Sequence, residues 1–451
     1  MVKFLGKRMG SDHSGGLIDS LLLIVARIGA NVLTLVWTLL LVRLLQPEAS
    51  GHALQAISVA QIISIMMTLN LESGAMKVVV PARHDGQLEK AAGYIRFNRQ
   101  LVMMMTPVLL AIVGLIYAVG IAVPETPATV AAMVLAIVLV AMARLTARHA
   151  SALGVMRKGL MPRLLTGPVV LTLGLGLAWL AGLQMQPWHV VLLFALSEGI
   201  TVLIQNRLLR DDFTFLQHTR SDRSEWLGWT KLGIWLTPGL IMTEYRKAIL
   251  IATAGLVLTG TETSLFAVAF SIINIINFGV VAVDVAFSPR IAQAMAARAD
   301  QRRDKLLASS GAIKLAGLLL GAVLVLLFGR MALGWFGTEF HDAGPALLIM
   351  LLIPATSVVL GPATVLMSSR GLGRQDFTGN VIGAISCVVL ICAFGALWGV
   401  VGAAIGAVMA NLLGQIAMTV LCRRKLGVDP TLATLRHLLP GNTDGSKTVS
   451  P

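Results

Sequence analysis

Charged side chains are scarce in this chain of 451 residues. Asp, Glu, Lys and Arg together make up 13% of it, against roughly 25% in soluble domains. Hydrophobic residues make up 56%. Because a spanning helix uses about 20 apolar residues, this content suffices for about twelve transmembrane helices and leaves little for a soluble domain. The composition therefore excludes a water-soluble protein built of one or more ordinary globular domains.

Cysteine and enzymatic motifs are also scarce. The three cysteines, Cys387, Cys392 and Cys422, lie in or at the end of apolar segments and have no metal-ligand spacing. The sequence contains no Gly-rich phosphate loop ending in Lys-Ser/Thr and no His-Glu-x-x-His motif, and its His residues are scattered. We therefore expect reduced packing cysteines, no cofactor, no metal and no enzymatic activity, and transport without an ATPase of its own.

Apolar runs of spanning length recur twelve times along the chain, and we number them 1 to 12. They lie at about residues 20–44, 53–74, 100–123, 128–148, 164–183, 188–206, 231–257, 264–287, 308–329, 344–367, 378–397 and 399–421. The sequence therefore predicts an all-α integral membrane protein of about twelve transmembrane helices.

Acidic residues are outnumbered by basic ones, 22 against 36, which gives a net charge of +14. Such a charge can indicate a nucleic-acid partner, but thirty of the Lys and Arg residues fall in or beside alternate connections on one side of the predicted membrane. Only Arg43 and Arg330 fall on the other side. Cytoplasmic loops carry this excess, so we expect both termini in the cytoplasm and no nucleic-acid partner.

An internal repeat divides the chain into halves. Ser58, Gln61 and Ser64 of run 2 recur as Ser271, Asn274 and Asn277 of run 8, and Glu72 corresponds to Asp284. Since six helices separate the copies, the halves should be parallel repeats related by an axis along the membrane normal. We expect six-helix lobes at 20–206 and 231–421, a cytoplasmic amphipathic linker at 207–230 that lies on the membrane surface, and cytoplasmic tails at 1–19 and 422–451.

Polar side chains follow helical spacing in runs 1, 2, 7 and 8. The stripes comprise Ser20, Arg27, Asn31, Thr34 and Thr38; Ser58, Gln61, Ser64, Thr68 and Glu72; Thr243, Arg246 and Thr253; and Ser271, Asn274, Asn277, Asp284 and Ser288. Polar groups in hydrocarbon are costly unless they face each other or water. The pattern favours a central wet cavity between the lobes. The alternative is that these residues join helices to each other by hydrogen bonds.

Charges inside the runs each need a reason, because each costs about 2.5–3.5 kcal/mol to insert. Lys314 lies near an inner helix end, where its side chain can reach the membrane surface. The side chain of Arg27 can either reach the membrane surface or line the cavity, and the sequence does not decide between these two alternatives. Glu198 requires either a partner that the sequence does not reveal or a protonated carboxyl.

Run 7 carries Glu244, Tyr245, Arg246 and Lys247 near the bilayer centre. Glu244 and Lys247 are three residues apart and are expected to pair on one helix face, which leaves Arg246 in need of another anion. Gly239 and Thr243 share its face and are small enough to leave room for a ligand. A guanidinium with spare donors suits phosphate, although a permanent ion pair with Glu198 or another acid is an alternative.

The chain resembles the polysaccharide-exporting flippases of the superfamily that also contains multidrug and toxin extruders. The resemblance rests on the Leu44-Leu45-Gln46-Pro47-Glu48 stretch followed by Gly51, on Asn70-Leu71-Glu72, and on Arg246 followed by Gly260-Thr261-Glu262. It implies two six-helix lobes around a central cavity in a bacterial inner membrane. It also implies alternating access that moves a polyprenyl-pyrophosphate-linked oligosaccharide outward for O-antigen, capsule or exopolysaccharide synthesis, with a polysaccharide polymerase or export machinery as possible partners.

By this resemblance the head group would be held by Arg27, Arg246 and Lys247. The polar residues Asn31, Gln61, Asn274 and Asn277 complete the expected substrate site, and the acids Glu72, Glu244 and Asp284 are candidates for ion coupling. A multidrug or cation antiporter of the same fold is the alternative, for which the acids would matter more than the arginines. A membrane glycan polymerase or ligase is a third class, but it would need catalytic groups on a substantial outer loop, which the sequence lacks.

Overall fold

The computed structural model describes residues 13–119, 125–297, 299–370 and 373–438, and those residues contain helices and connections but no β-strand. The predicted tails lie partly outside this range, at 1–12 and 439–451. We number the helices α1 to α16. They are His13–Leu44, Pro47–Thr68, Leu71–His84, Leu88–Ala118, Pro127–Ala152, Met156–Leu180, Pro187–Leu208, Phe215–His218, Trp226–Glu244, Arg246–Ala254, Gly260–Ala296, Asp300–Phe336, Gly344–Met350, Leu352–Leu360, Ala363–Ser369 and Gly373–Leu426.

Local sequence signals account for several helix starts. Thr126 accepts a hydrogen bond from the amide of Thr129 and is followed by Pro127, which has the fixed φ that the first helical position needs. Thr259 and Glu262 form a complete capping box at the start of α11. These caps satisfy the backbone donors that have no partner within the helix.

Ten segments in the described part of the chain are long and apolar enough to cross a membrane. The last of them spans 52 residues, and non-helical backbone at Trp398 and Gly399 divides it into two runs of spanning length. The pair α9 and α10 covers run 7 but is interrupted by a break. The division of the last segment and the inclusion of run 7 each add one crossing to the ten. The structure thus confirms the all-α membrane fold of about twelve crossings.

Helix breaks interrupt runs that the sequence predicts as continuous. Run 2 is two helices, α2 and α3, because Leu69 and Asn70 adopt positive φ values of 48° and 51°. Run 10 is divided into short helices, the last break being at Gly361, where φ is +75°, and Pro362. Hydropathy does not detect such breaks, because the side chains on both sides remain apolar.

The chain folds as two compact units. The first contains Met1–Leu40, Ile63–Leu183 and Trp188–Ile234. Its inner core packs Leu71, Val79 and Ile95 around Tyr94, whose hydroxyl donates to the backbone oxygen of Leu71. The ring of Trp229 meets that of Tyr94 edge to face, with 5.1 Å between the ring centroids.

The predicted linker at 207–230 belongs to this first unit. Phe215–His218 is the only helix wholly within the stretch. Leu209 and Leu216 are buried, and Leu216 packs in the core around Tyr94. The amide of Asp222 donates to the oxygen of Glu89 at 3.1 Å. Leu208 and Trp226 of the same stretch are exposed, and the placement of the linker on the membrane surface remains a prediction.

The second unit contains Leu41–Ile62, Gln184–Pro187 and Trp235–Pro451. The start of α2 packs on the start of α11 within this unit. The hydroxyls of Ser50 and Ser264 are 2.7 Å apart. A Cβ atom on Gly51 would collide with the backbone oxygen of Gly260. Glycine at position 51 therefore permits a backbone contact between the first turns of the two helices.

The segment after α16 returns against the same unit. Arg423 and Thr431 donate to the carboxylate of Asp429 and form a turn. Burial raises the pKa of Asp429, but the hydrogen bonds from Thr431 and Arg423 outweigh that effect and leave the pKa below its ordinary value. The turn directs the backbone of Pro430 onto Gly361 at the break in run 10.

Gly361→Ala is expected to destabilise the protein. The new Cβ would collide with the backbone oxygen of Pro430, and the residue would keep a positive φ that alanine rarely adopts. Gly427→Ala is the matched control, because Gly427 also has a positive φ but has no atom within 4 Å of the added Cβ. In thermal unfolding of the purified protein, the midpoint should fall further for Gly361→Ala. Equal decreases would contradict the packing of the C-terminal segment.

Candidate functional site

A break in run 7 positions Arg246. The helix α9 contains Pro238 and ends at Glu244, Tyr245 has non-helical backbone angles, and α10 begins at Arg246. The Nε of Arg246 donates to the backbone oxygen of Met242 at 3.2 Å. This bond fixes the root of the guanidinium group and leaves its two Nη atoms for other acceptors.

The break also removes a predicted ion pair. Glu244 is exposed at the end of α9, and Lys247 is half-buried in the first turn of α10. Lys247 forms no ion pair with any side chain that the structure describes. The expected pairing of Glu244 with Lys247 was wrong, because it assumed one continuous helix through Tyr245.

Arg246 lines a small cavity in the second unit. Its walls come from α9, α10, α14 and both parts of α16, and the lining residues are Met242, Arg246, Ile249, Leu250, Ile353, Cys387, Ala407, Ala410 and Asn411. The space has room for about one water molecule. No carboxylate within residues 13–119, 125–297, 299–370 and 373–438 pairs with Arg246. Its guanidinium is therefore placed among apolar groups without the anion that would compensate it.

Gly239, beside which the sequence predicts space for a ligand, faces the start of α16. A Cβ atom on Gly239 would lie 3.6 Å from side-chain atoms of Asp376 and Asn380. The hydroxyl of Thr243 donates to the oxygen of Gly239 at 2.6 Å. The first turns of α16 therefore face Gly239, whereas Thr243 is exposed, and room for a ligand on this face of α9 remains a prediction.

Arg27 lies in the first unit on α1. Its side chain is exposed and, among the described side chains, has no carboxylate partner. Asn31, one turn further along, is half-buried. The side chain of Ser20 falls outside the described residues. The pairing of Arg27 with Arg246 across the two halves remains a prediction.

Glu72 is placed differently from the sequence prediction. It lies on α3 rather than on α2 with Ser58 and Ser64, and it is 1% exposed. Its carboxylate forms an ion pair with Arg144 of α5, which also donates to the hydroxyl of Ser64 at 3.1 Å. Arg144 was counted as a residue near a cytoplasmic connection, but it is buried inside a helix.

Asp284 of α11 also has a cationic partner. The ammonium of Lys314 on α12 lies 2.8 Å from its carboxylate. Lys314 is only 2% exposed, so the expectation that its side chain reaches the membrane surface was wrong. The attraction of Asp284 holds it in the protein instead.

Glu198 has the partner that the sequence did not reveal. Arg163 of α6 donates to its carboxylate at 3.0 Å. Glu198 is 2% exposed on α7, within the first unit. Its requirement for a cation is therefore met by Arg163.

The polar stripes divide into two kinds of side chain. The hydroxyls of Thr34, Thr38, Ser58 and Ser271 donate to backbone oxygens four residues earlier on their own helices. The amide residues Gln61, Asn274 and Asn277 are half-buried. The hydroxyls are thus satisfied without a cavity, whereas the amides remain the candidates for binding. The predicted wet cavity between the lobes remains a prediction.

Sequence reasoning missed three polar residues. Arg144 and Arg163 were assigned to cytoplasmic connections, although Arg144 lies inside run 4 and Arg163 lies directly before run 5. Asn411 was missed altogether, although it is an isolated amide in the apolar run 12. That isolation is the signal that could have found it, since a lone amide in hydrocarbon needs partners.

No protein-family model and no curated protein sequence matches this chain. Solved structures do match. An inward-facing multidrug resistance MATE family transporter of the MOP superfamily has a TM-score of 0.69 at 15% identity, covering 90% of this chain and 98% of that one. The lipid II flippase MurJ in an inward closed conformation has a TM-score of 0.67 at 12% identity, covering 92% and 90%. An outward-facing MATE transporter of that superfamily has a TM-score of 0.60 at 14% identity, covering 90% and 94%.

The matched structures are transporters and a flippase rather than enzymes. At these identities the likeness concerns the fold, and it extends over about nine-tenths of each chain. This chain is a multi-pass membrane protein with the fold shared by MATE transporters and the flippase MurJ.

Proposed function

We propose that this protein translocates polyprenyl-pyrophosphate-linked oligosaccharide across the bacterial cytoplasmic membrane by alternating access, for O-antigen, capsule or exopolysaccharide synthesis. One observation carries the proposal. Glu72, Glu198 and Asp284 each pair with a cation, whereas Arg27, Arg246 and Lys247 have no carboxylate partner in the part of the chain that the structure describes. Among these six residues the charges without a counter-ion are therefore all positive.

An anionic cargo follows from the cost of that positive charge. Each uncompensated cation in a membrane helix costs roughly 2.5–3.5 kcal/mol, so a bound anion would recover much of this free energy. A pyrophosphate offers several acceptor oxygens, and the planar donors of an arginine match them in pairs. In this proposal Arg27, Arg246 and Lys247 bind the pyrophosphate, and Asn31, Gln61, Asn274 and Asn277 hydrogen-bond the neighbouring groups.

A multidrug or cation antiporter is the second candidate, since two of the matched structures are multidrug resistance MATE transporters. A cationic cargo needs an accessible acid, and in this chain Glu72 and Asp284 already bind cations. Under the proposal these two acids neutralise Arg144 and Lys314, and the exposed Glu244 is the remaining candidate for ion coupling.

Translocation in proteoliposomes tests the proposed function. A fluorescent polyprenyl-pyrophosphate disaccharide placed in the inner leaflet should reach the outer leaflet faster with the protein than in protein-free vesicles. A cationic dye loaded into the same vesicles should not be exported under a proton or sodium gradient. Export of the dye with no acceleration of the lipid would replace the flippase by the antiporter.

In the proposed orientation both termini lie in the cytoplasm, because the connections rich in Lys and Arg lie on that side of the membrane. We expect alkaline phosphatase fused after Gln184 to be active, because that connection lacks Lys and Arg. A fusion after Asp222, beside Arg220 and Arg223, should be inactive. Activity is measured in intact cells with equal expression, and the reverse pattern would contradict the orientation.

A further inference from the structure

The cavity at Arg246 contains a second polar side chain for which the proposed function gives no role. Asn411 lies on the second part of α16, is 6% exposed, and lines the same cavity as Arg246. An amide this deeply buried among apolar side chains is costly unless its donors and its acceptor are both used.

The hydrogen bonds of Asn411 fix its orientation. Its Nδ2 donates to the backbone oxygen of Ile353 at 3.2 Å and to the hydroxyl of Thr356 at 2.6 Å. The hydroxyl of Thr356 itself donates to Ile353, so it acts as an acceptor toward Asn411. These bonds use both amide hydrogens, and Oδ1 is left as the acceptor of the side chain.

Arg246 offers the complementary donors. Its Nε is held by Met242, so its Nη atoms are the donors available beside the cavity. Both residues line the cavity, which has room for about one water molecule. Such a water would accept from a guanidinium Nη and donate to the Oδ1 of Asn411, and a water-mediated bond is nearly as favourable in enthalpy as a direct one.

We propose that Asn411 is a positioning residue, which holds the guanidinium of Arg246 through one bridging water while no cargo is bound. The inference rests on the proposed role of Arg246 at the pyrophosphate. A neutral amide binds the guanidinium weakly, so a pyrophosphate can displace it. A carboxylate at position 411 would instead bind the guanidinium as an ion pair. The strength of the acceptor at position 411 therefore sets how readily Arg246 meets the cargo.

Asn411→Asp tests this with a side chain of nearly the same size. Farnesyl pyrophosphate serves as the probe, and its equilibrium binding to the purified full-length protein is measured from pH 5 to pH 8. At pH 8 we expect affinity to fall about tenfold or more, because the new carboxylate retains Arg246. An ion pair with Arg246 favours the charged form of this carboxylate, so the decrease should depend on the presence of Arg246 rather than on pH. Arg246 and Cys387 are the titratable groups that line the cavity, and α14 and the second part of α16 contribute none.

Asn411→Leu provides the opposite case, since it removes the acceptor. Its affinity for the probe should equal or exceed that of the wild type at every pH. In the double variant Arg246→Ala/Asn411→Asp, the affinity should match that of Arg246→Ala and have no additional pH dependence.

The outcomes separate this inference from the proposed function. Normal probe binding by Arg246→Ala would overturn the proposed role of Arg246 and the inference with it. Loss of binding in Arg246→Ala together with wild-type binding by Asn411→Asp across the pH range would overturn the inference alone. A further loss of affinity in Arg246→Ala/Asn411→Asp relative to Arg246→Ala would also contradict it, because damage to packing does not require the guanidinium.

Discussion

Arg246→Ala is expected to reduce translocation of the lipid-linked oligosaccharide by roughly ten- to a hundredfold, since a hydrogen bond to a charged group contributes about 1.5–3 kcal/mol. Arg246→Lys should fall between the alanine variant and the wild type. Lysine keeps the charge, but it has neither the Nε that bonds Met242 nor the planar pair of donors. The measurement is the initial rate of translocation in proteoliposomes, corrected for the amount of protein inserted.

Arg330→Ala is the matched control for Arg246→Ala. Arg330 is exposed near the outer end of α12 and belongs to the few basic residues on that side of the predicted membrane. Its removal changes the net charge equally and should leave the rate within about twofold of the wild type. If Arg246→Ala also translocates at the wild-type rate, the head-group role is wrong and the guanidinium has only a structural role.

Glu72→Ala is expected to destabilise the first unit by about 3–5 kcal/mol, because it leaves the buried Arg144 without its anion. The double variant Glu72→Leu/Arg144→Met should regain most of this loss, since a buried pair replaced by apolar side chains of similar volume is often close to neutral. Unfolding in denaturant gives the free energies of unfolding of the wild type, Glu72→Ala and the double variant, which are then compared.

The exposed pair of Lys90 and Glu225 provides the control for Glu72. Their side chains lie 2.6 Å apart, with that of Glu225 55% exposed, and Glu225→Ala should cost no more than about 1 kcal/mol. A variant Glu72→Gln that unfolds like the wild type but no longer depends on an ion gradient would assign Glu72 to coupling. That result would contradict the structural role given to the pair here.

The fold could be predicted from the sequence because its signals are local. Hydropathy located the twelve runs, although some observed helices extend well beyond the predicted ends, α4 by twelve residues at its start and α11 by nine at its end. The breaks could not be predicted in this way. The breaks lie at Leu69, Asn70 and Tyr245, none of which is glycine or proline. Their backbone angles depend on tertiary contacts, such as the hydrogen bond from Asn70 to the backbone oxygen of Gly233.

The site was predicted only in part, because partners in an ion pair are distant in sequence. The sequence singles out Arg246 as a charge near the middle of run 7, and the structure retains it there without an acid. The sequence does not reveal that Lys314 lies beside Asp284, thirty residues away, or that Arg144 lies beside Glu72. Which charges remain uncompensated therefore depends on helix packing, and that property decides between an anionic and a cationic cargo.

The central claim is that the cargo is an anion, and selectivity of binding tests it most directly. Purified protein is titrated with farnesyl pyrophosphate and, separately, with a farnesyl trimethylammonium of the same chain. We predict tighter binding of the pyrophosphate, and loss of that preference in the double variant Arg27→Ala/Arg246→Ala. Equal or tighter binding of the ammonium by the wild-type protein would contradict the account.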